Sequence, residues 1–312
     1  MPAHESMHRM NLTQLETFVH VAEHGSFSKA AMVLGVAQPA LSRQVRALET
    51  ELHETLLLRN GRGVALTEAG RRLLQHGQDI LNLVSHAKDD LRARRSEPVG
   101  QITIAMPPTL ARLHTLALIR AFQAEMPQAR LTIMEGFSVH LTEWLLTGRT
   151  DLALVYNPEP VPALEILPLR RERLCLVSPK DQAPTRPPTL AQLSRYPLVM
   201  PQRGHIFRAL MEQAAAMAGV PLDVRWEVAS VPAILDCVAA GIGHAALGED
   251  ALQIYEKPER LVTTPFAKAD IQSTLCLVTP TSKRATPLMQ KTAGVLKRMV
   301  GEPAKSFIGV GP

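Results

Sequence analysis

Arg43 and Arg46 stand in the stretch VAQPALSRQVRAL (residues 36–48), which contains no acidic residue to pair them. A guanidinium is permanently charged and offers a rigid fork of N–H donors, so two of them left unpaired can hold an acidic partner. At about 100° per residue, Leu41, Val45, Leu48 and Leu52 fall within roughly 40° of one another and form a core-facing stripe. Pro39, Ser42, Arg43 and Arg46 fall between roughly 100° and 200° from Leu41, on the opposite face. Alone, such a stretch is also what an ordinary solvated helix looks like. The elements around it have to decide.

Totals bound the answer without giving it. The 312 residues exceed one typical domain, and 46% hydrophobic with 20% charged residues is usual for a globular protein. The net charge of +5 and pI of about 9.3 permit an acidic partner. The basic residues are dispersed, however: residues 1–95 hold 12 Lys and Arg against 10 Asp and Glu, the remainder 22 against 19. Only local placement can therefore indicate a nucleic-acid site. Cys175, Cys237 and Cys276 are far apart with no CxxC pair, which speaks against a zinc site or a disulfide framework and for small buried thiols in a reducing compartment. No apolar run has membrane-helix length, and MPAHESMHRM has no apolar signal core, so a cytoplasmic protein is expected.

Residues 12–24 place Leu12, Leu15, Phe18, Val19 and Ala22 on one helical face that Gly25 closes. Ser28 reads as the N-cap of a second short helix, KAAMVL, ended by Gly35, with Ala30 and Ala31 suited to a close helix crossing. The basic helix follows after a tight turn and ends near Leu52, a helix-turn-helix order. LLLRNGRGVALT (residues 56–67) alternates around a glycine-bracketed tip and reads as a hairpin carrying Arg62. Three helices and a hairpin make a winged helix-turn-helix. Thr67 caps a long helix running to about Arg95. Its stripe of Leu73, Ile80, Val84, Ala87 and Leu91 exceeds what so small a domain could cover and predicts a partner helix. EPVG at 97–100 reads as a hinge.

From Gln101 onward, strands alternate with helices. Strands are expected at 102–106, 130–135, 151–156, 173–179, 197–200, 224–229, 244–248 and 274–280, and helices at 109–126, 139–147 and 286–300. That alternation predicts parallel α/β sheets in two lobes around a cleft.

LETFVHVAEHGSFSKAAMVLGVAQPALSRQVRALETEL followed by LLLRNGRGVALTEAG resembles the LysR-type transcriptional regulators, densely from Leu12 to Leu81 and in architecture from 101 to about 300. The MPQRGHIFR loop is similar to the subgroup that includes nitrogen-assimilation regulators. The resemblance implies a winged helix-turn-helix over 10–66, a linker and dimerisation helix over 67–96, and an effector-binding domain over 101–300 similar to bacterial periplasmic binding proteins. In it, lobe I would take 101–167 and 268–300 and lobe II 168–267, with crossovers near 164–172 and 264–272. It implies a regulator that binds operator DNA as a dimer of dimers, answers to a small-molecule effector, works with RNA polymerase and uses no cofactor. A helix with a free basic face then fits the major groove, where Arg43 and Arg46 reach guanine or phosphate and Gln38, Pro39 and Ser42 flank them. Ser28 and Lys29 would meet phosphates, and Arg62 the minor groove. Ala37 departs from relatives that carry a capping hydroxyl there. The family pattern also opens near Met10, which leaves residues 1–9 as a disordered extension and either methionine as the start.

The family's effector position matches three segments here. Thr109 and Ser138 are expected at helix N-termini facing the cleft, with Arg203, His205 and Arg208 supplying positive charge. That combination favours an anion, most simply a carboxylate. The plain alternative makes both hydroxyls N-caps and His205 a structural histidine. Rival readings are an effector-independent regulator of the same type and an enzyme using His205, His244, Asp236 and Cys237. Against the enzyme, there is no GxSxG, HExxH or Walker motif.

Overall fold

The computed structural model describes residues 10–60, 63–92, 98–281 and 285–301. Compact units divide the chain at Lys88 and Asp89. Among the described residues no helix is long and apolar enough to cross a membrane.

The first unit runs α1 (Leu12–His24), α2 (Phe27–Leu34), α3 (Gln38–Leu52), β1 (Leu57–Asn60), β2 (Gly63–Leu66) and α4 (Glu68–Arg92). Asn11 opens α1 with a capping box: its side chain accepts from Gln14 N–H at 2.9 Å and Gln14 answers at 3.0 Å. Gly25 closes α1 in the left-handed region at φ 58°. The cap of α2 is Ser26, not Ser28, because Phe27 is buried and already belongs to the helix; Ser26 Oγ accepts from Lys29 N–H. Phe18, Val21, Ala30, Leu41, Val45 and Leu48 make the core, with the Thr17 hydroxyl donating to Gln44 Oε1 between α1 and α3. Ala30, fully buried, leaves the room a close helix crossing requires. β1 and β2 form an antiparallel hairpin from Leu57↔Leu66 to Asn60↔Gly63, tied to the end of α1 by Val64 N–H to Gly25 O at 2.9 Å.

Thr67 does cap α4, accepting from Gly70 N–H at 2.9 Å. The expected partner-facing stripe divides. Leu73, with Leu74 and Leu81, packs on the unit's own core, and a Cβ at Gly77 would come within 2.9 Å of Val19 Cγ2. The domain therefore covers more of this helix than its size suggested. Ile80 and Val84 are half-buried, Ala87 is exposed and Leu83 is 61% exposed. The side chain of Leu91, Arg62 at the hairpin tip, the helix beyond Arg92 and residues 1–9 lie outside the described residues.

The second unit begins β3 (Gly100–Met106), α5 (Pro108–Glu125), β4 (Ala129–Glu135), α6 (Ser138–Leu146), β5 (Leu152–Tyr156). β3 pairs parallel with both β4 and β5. Its alternation is that of a strand covered on both sides: Ile102, Ile104 and Met106 enter one apolar cluster and Ala105 the other, against Leu141 and Leu145 of α6. Then β6 (Leu164–Pro179) runs 16 residues without a break. Its first part pairs with β11 and its last part with β9 and β10, so one strand spans the segment near 164–172 where a crossover is expected. The chain continues β7 (Leu198–Met200), α7 (Ile206–Met217), β8 (Val224–Glu227), α8 (Val231–Ala239), β9 (Ala245–Gly248) and β10 (Leu261–Pro265), an unforeseen strand. The chain returns through 266–271 to β11 (Gln272–Pro280) and ends in α9 (Pro287–Gly301). The expected all-parallel sheets are mixed, because both crossing strands enter antiparallel: β11 against β5 and β6, and β6 against β9 and β10.

Candidate functional site

Leu41, Val45 and Leu48 of α3 are at most 1% exposed. Burial of that stripe fixes the helix rotation and leaves Gln38, Pro39, Arg43 and Arg46 exposed, with Ser42 half-buried beside them. Among the described residues, no carboxylate lies within ion-pair distance of Arg43 or Arg46. Ala37 makes no side-chain cap bond, so the first N–H groups of α3 are left without one. Ser28 and Lys29 are exposed in the first turn of α2, where the helix dipole favours an anion.

In the second unit a cavity of about 790 Å³ is lined by the first residues of four helices: Pro108 and Thr109 of α5, Ser138 of α6, Ile206 of α7 and Val231 of α8. Three of them, α5, α6 and α8, have no side-chain cap, so their free N–H groups are available at the cavity end. The remaining lining is mostly apolar, including Leu116, Ile119, Phe137 and Ile254, with Arg112 as its guanidinium.

The expected residues are distributed unevenly around this space. Thr109 and Ser138 both line it, but neither is an N-cap; Pro107 and Phe137 are. Ser138 Oγ accepts from Tyr156 N–H at 3.3 Å. His205 lines the cavity as the N-cap of α7, Nδ1 accepting from Phe207 N–H. Burial lowers its pKa to about 4, so it is neutral at pH 7 and adds no charge. Arg208 is 4% exposed and committed: Nε donates to Glu212 Oε1 at 2.7 Å and Nη2 to Glu227 Oε1 at 3.3 Å. The i,i+4 spacing with Glu212 holds it in that ion pair, away from the cavity lining. Arg203, its side chain 79% exposed and 3.7 Å from the same Glu212 oxygen, does not line the cavity either.

Sequence reasoning missed Arg112, Glu135, Tyr156 and Glu172, which all line the cavity. Glu172 sits on β6 just before the strand passes from pairing with β11 to pairing with β9, is 4% exposed, and accepts a 2.6 Å bond from the Tyr156 hydroxyl. Burial raises its pKa to about 7, with the Tyr156 bond opposing and Asp250 adding to the rise. Burial also raises that of Tyr156. Next to them Arg170 and Asp250 form a 2.7 Å ion pair. Gly248 makes room for the carboxyl: a Cβ there would stand 2.0 Å from Glu172 Oε1. Strand patterning marks Tyr156 as inward-facing, but nothing in the sequence singles out one glutamate among the charges of LRRER. Of the four residues of the rival enzyme reading, only His205 reaches the cavity; His244 Nδ1 bonds Ser178 Oγ at 2.8 Å, and Asp236 and Cys237 lie inside α8.

A sequence family described as LysR substrate binding domain matches residues 95–300, and one described as bacterial regulatory helix-turn-helix protein, lysR family, matches 12–71. The chain belongs to the LysR family of transcriptional regulators. Its two matched regions are accordingly a helix-turn-helix DNA-binding domain and an effector-binding domain. The nitrogen assimilation regulatory protein nac of Klebsiella aerogenes is 33% identical over 243 residues, 78% of this chain and 79% of that protein. The regulator BbuR of Bordetella bronchiseptica is 32% identical over 267 residues, 85% and 82% of the two chains. Full-length CbnR complexed with its target DNA matches with a TM-score of 0.70 at 25% identity, over 93% of this chain and 99% of that one. These relatives are transcriptional regulators, the class expected in place of an enzyme.

Proposed function

We propose that this LysR-family regulator reads operator DNA with Arg43, Arg46, Gln38 and Ser42 of α3, and that an amphipathic monoanion in the second unit's cavity controls that reading. The observation that carries the ligand class is the convergence of four helix N-termini, three without side-chain caps, on an apolar cavity bearing Arg112. Free N–H groups and aligned dipoles favour an anion there without a buried cation. The apolar walls call for a hydrocarbon body on the ligand. Arg112 takes the role that Arg203 and Arg208, engaged with Glu212, do not fill. Ser28, Lys29, Pro39 and Arg62 complete the DNA contacts. In this reading the regulator assembles as a dimer of dimers through α4, acts with RNA polymerase, catalyses nothing and works in the cytoplasm, where its DNA is.

Glu135 and Glu172 in the same cavity favour a second class, an amine-bearing ligand. A thermal-shift screen of small carboxylates, inorganic anions and amines separates the two. Carboxylates should stabilise the wild-type chain and Arg203→Ala alike, and stabilise Arg112→Ala and Thr109→Val less. Stabilisation by amines alone, or equal responses in all four proteins, would refute the anion reading.

A further inference from the structure

The first unit carries a cluster that neither DNA reading nor ligand binding uses. His20, Glu23 and His24 occupy positions i, i+3 and i+4 of α1, so one helix face presents all three. One donor atom from each lies within 4.8 Å of both others. We propose that these residues form a site for a divalent transition-metal ion.

Two hydrogen bonds already orient the donors. His24 Nδ1 is 2.9 Å from the carbonyl oxygen of His20, so Nδ1–H donates to it and the Nε2 lone pair is left for a metal. Gln78 of α4 donates Nε2–H to Glu23 Oε1 at 2.7 Å, which steadies the carboxylate and leaves its second oxygen free. This is the outer-shell support that ligating histidines and carboxylates ordinarily have. His20 contributes the independent sign: its Nδ1 is buried with no hydrogen-bond partner among the described residues. Among the described residues no hydrogen bond fixes the tautomer of this ring, and coordination would fix it.

Metal–nitrogen and metal–oxygen bonds of about 2.0–2.2 Å require the donors to draw together by roughly an ångström, within reach of side-chain rotation at a half-exposed helix face. Two imidazoles and one carboxylate suit zinc, nickel, cobalt or copper and not magnesium or calcium. Three protein ligands leave the remaining positions to water. Through Gln78, a bound ion also braces α1 against α4, so it stabilises the unit that contains the DNA-reading helix.

The test uses the full metal-stripped chain and titrates zinc by calorimetry and cobalt by visible absorption. One equivalent should bind, with cobalt bands of low coordination number and a raised melting temperature. His20→Gln and His24→Gln should each weaken binding more than about 100-fold, and Gln78→Ala about 10-fold. Glu23→Gln, at an exposed position, gives a variant whose folding is not at issue and should also lose the site. A protein with His4 and His8 replaced by Gln should keep it. No binding by the wild type would overturn the proposal, as would affinity unchanged in Glu23→Gln and His24→Gln or lost with His4 and His8.

Discussion

Replacing Glu172 with glutamine removes one buried titration and keeps an oxygen for the Tyr156 hydroxyl. In the folded chain the carboxyl titrates at about 7 and in the unfolded chain at 4.5, because burial penalises its charged form. A native pKa above the unfolded one means the native state binds the extra proton between those values, so the contribution of Glu172 to stability falls as pH rises from 4.5 to 7. Below that window the contribution is fully present; above it, it is lost. At 1.36 kcal/mol per pKa unit the loss is about 3 kcal/mol, the cost of holding a desolvated carboxylate. Glu172→Gln does not titrate, so its stability relative to wild type should climb by that amount between pH 4.5 and 8. Urea unfolding followed by tryptophan fluorescence reports the correct unit, since Trp144 and Trp226 are the chain's two tryptophans and both lie in it. Other titrations are common to both proteins and cancel. A difference that stays flat across the window, or shrinks with pH, would show that Glu172 ionises as an exposed carboxylate does and that its burial is wrongly understood.

An anion beside Glu172 should hold its proton more firmly, so carboxylate binding should tighten as pH falls through 7 and take up protons. Calorimetry in buffers of different ionisation enthalpy measures this, and pH-independent binding would contradict it. Arg43→Ala should cost roughly 1–3 kcal/mol of operator affinity and relax preference at one base pair per half-site; unchanged gel-shift affinity removes Arg43 from base reading. Leu83, 61% exposed on α4, should tolerate Asp without loss of fold, while the assembly drops to a smaller species in sedimentation. An unchanged sedimentation coefficient would place the interface elsewhere. Gly248→Ala should destabilise the second unit by about 1–3 kcal/mol through contact with Glu172 and Phe207, and Glu172→Ala should relieve it in the double variant; strict additivity would mean the two sites do not touch.

The helix-turn-helix half was legible because its determinants are local. The stripe of Leu41, Val45 and Leu48 fixes the rotation of α3, and Gly25 and Gly35 stop the helices before it. Even there the cap of α2 was displaced, since two serines flank Phe27 and only the burial of that ring selects Ser26. The strands of the second unit were readable from their alternation, but pairing direction was not: the antiparallel entry of β6 and β11 depends on pairs as distant in sequence as Leu164 with Pro280. The cavity shows the limit most plainly. Thr109, Ser138 and His205, singled out because they match the family's effector position, do line it. Arg203 and Arg208 were misplaced because the acid that engages them, Glu212, reaches them only once α7 is wound and Glu227 of β8 is alongside. Glu172 carries no signal at all, since its environment is made by Tyr156, Gly248 and Asp250 from other elements.

Binding of the full chain to DNA from upstream of its own gene, against a scrambled fragment of equal length, tests the central claim most directly. Fluorescence anisotropy over a salt series, with footprinting of the bound fragment, should give affinity for the upstream DNA at least about a thousandfold tighter, steep in salt and protected over an interrupted palindrome. Arg43→Ala and Arg46→Ala should narrow that ratio, and a carboxylate that stabilises the chain should change the upstream affinity while leaving the scrambled one alone. Equal affinity for the two fragments, or a ratio indifferent to Arg43 and Arg46, would contradict the assignment of α3 as the element that reads DNA.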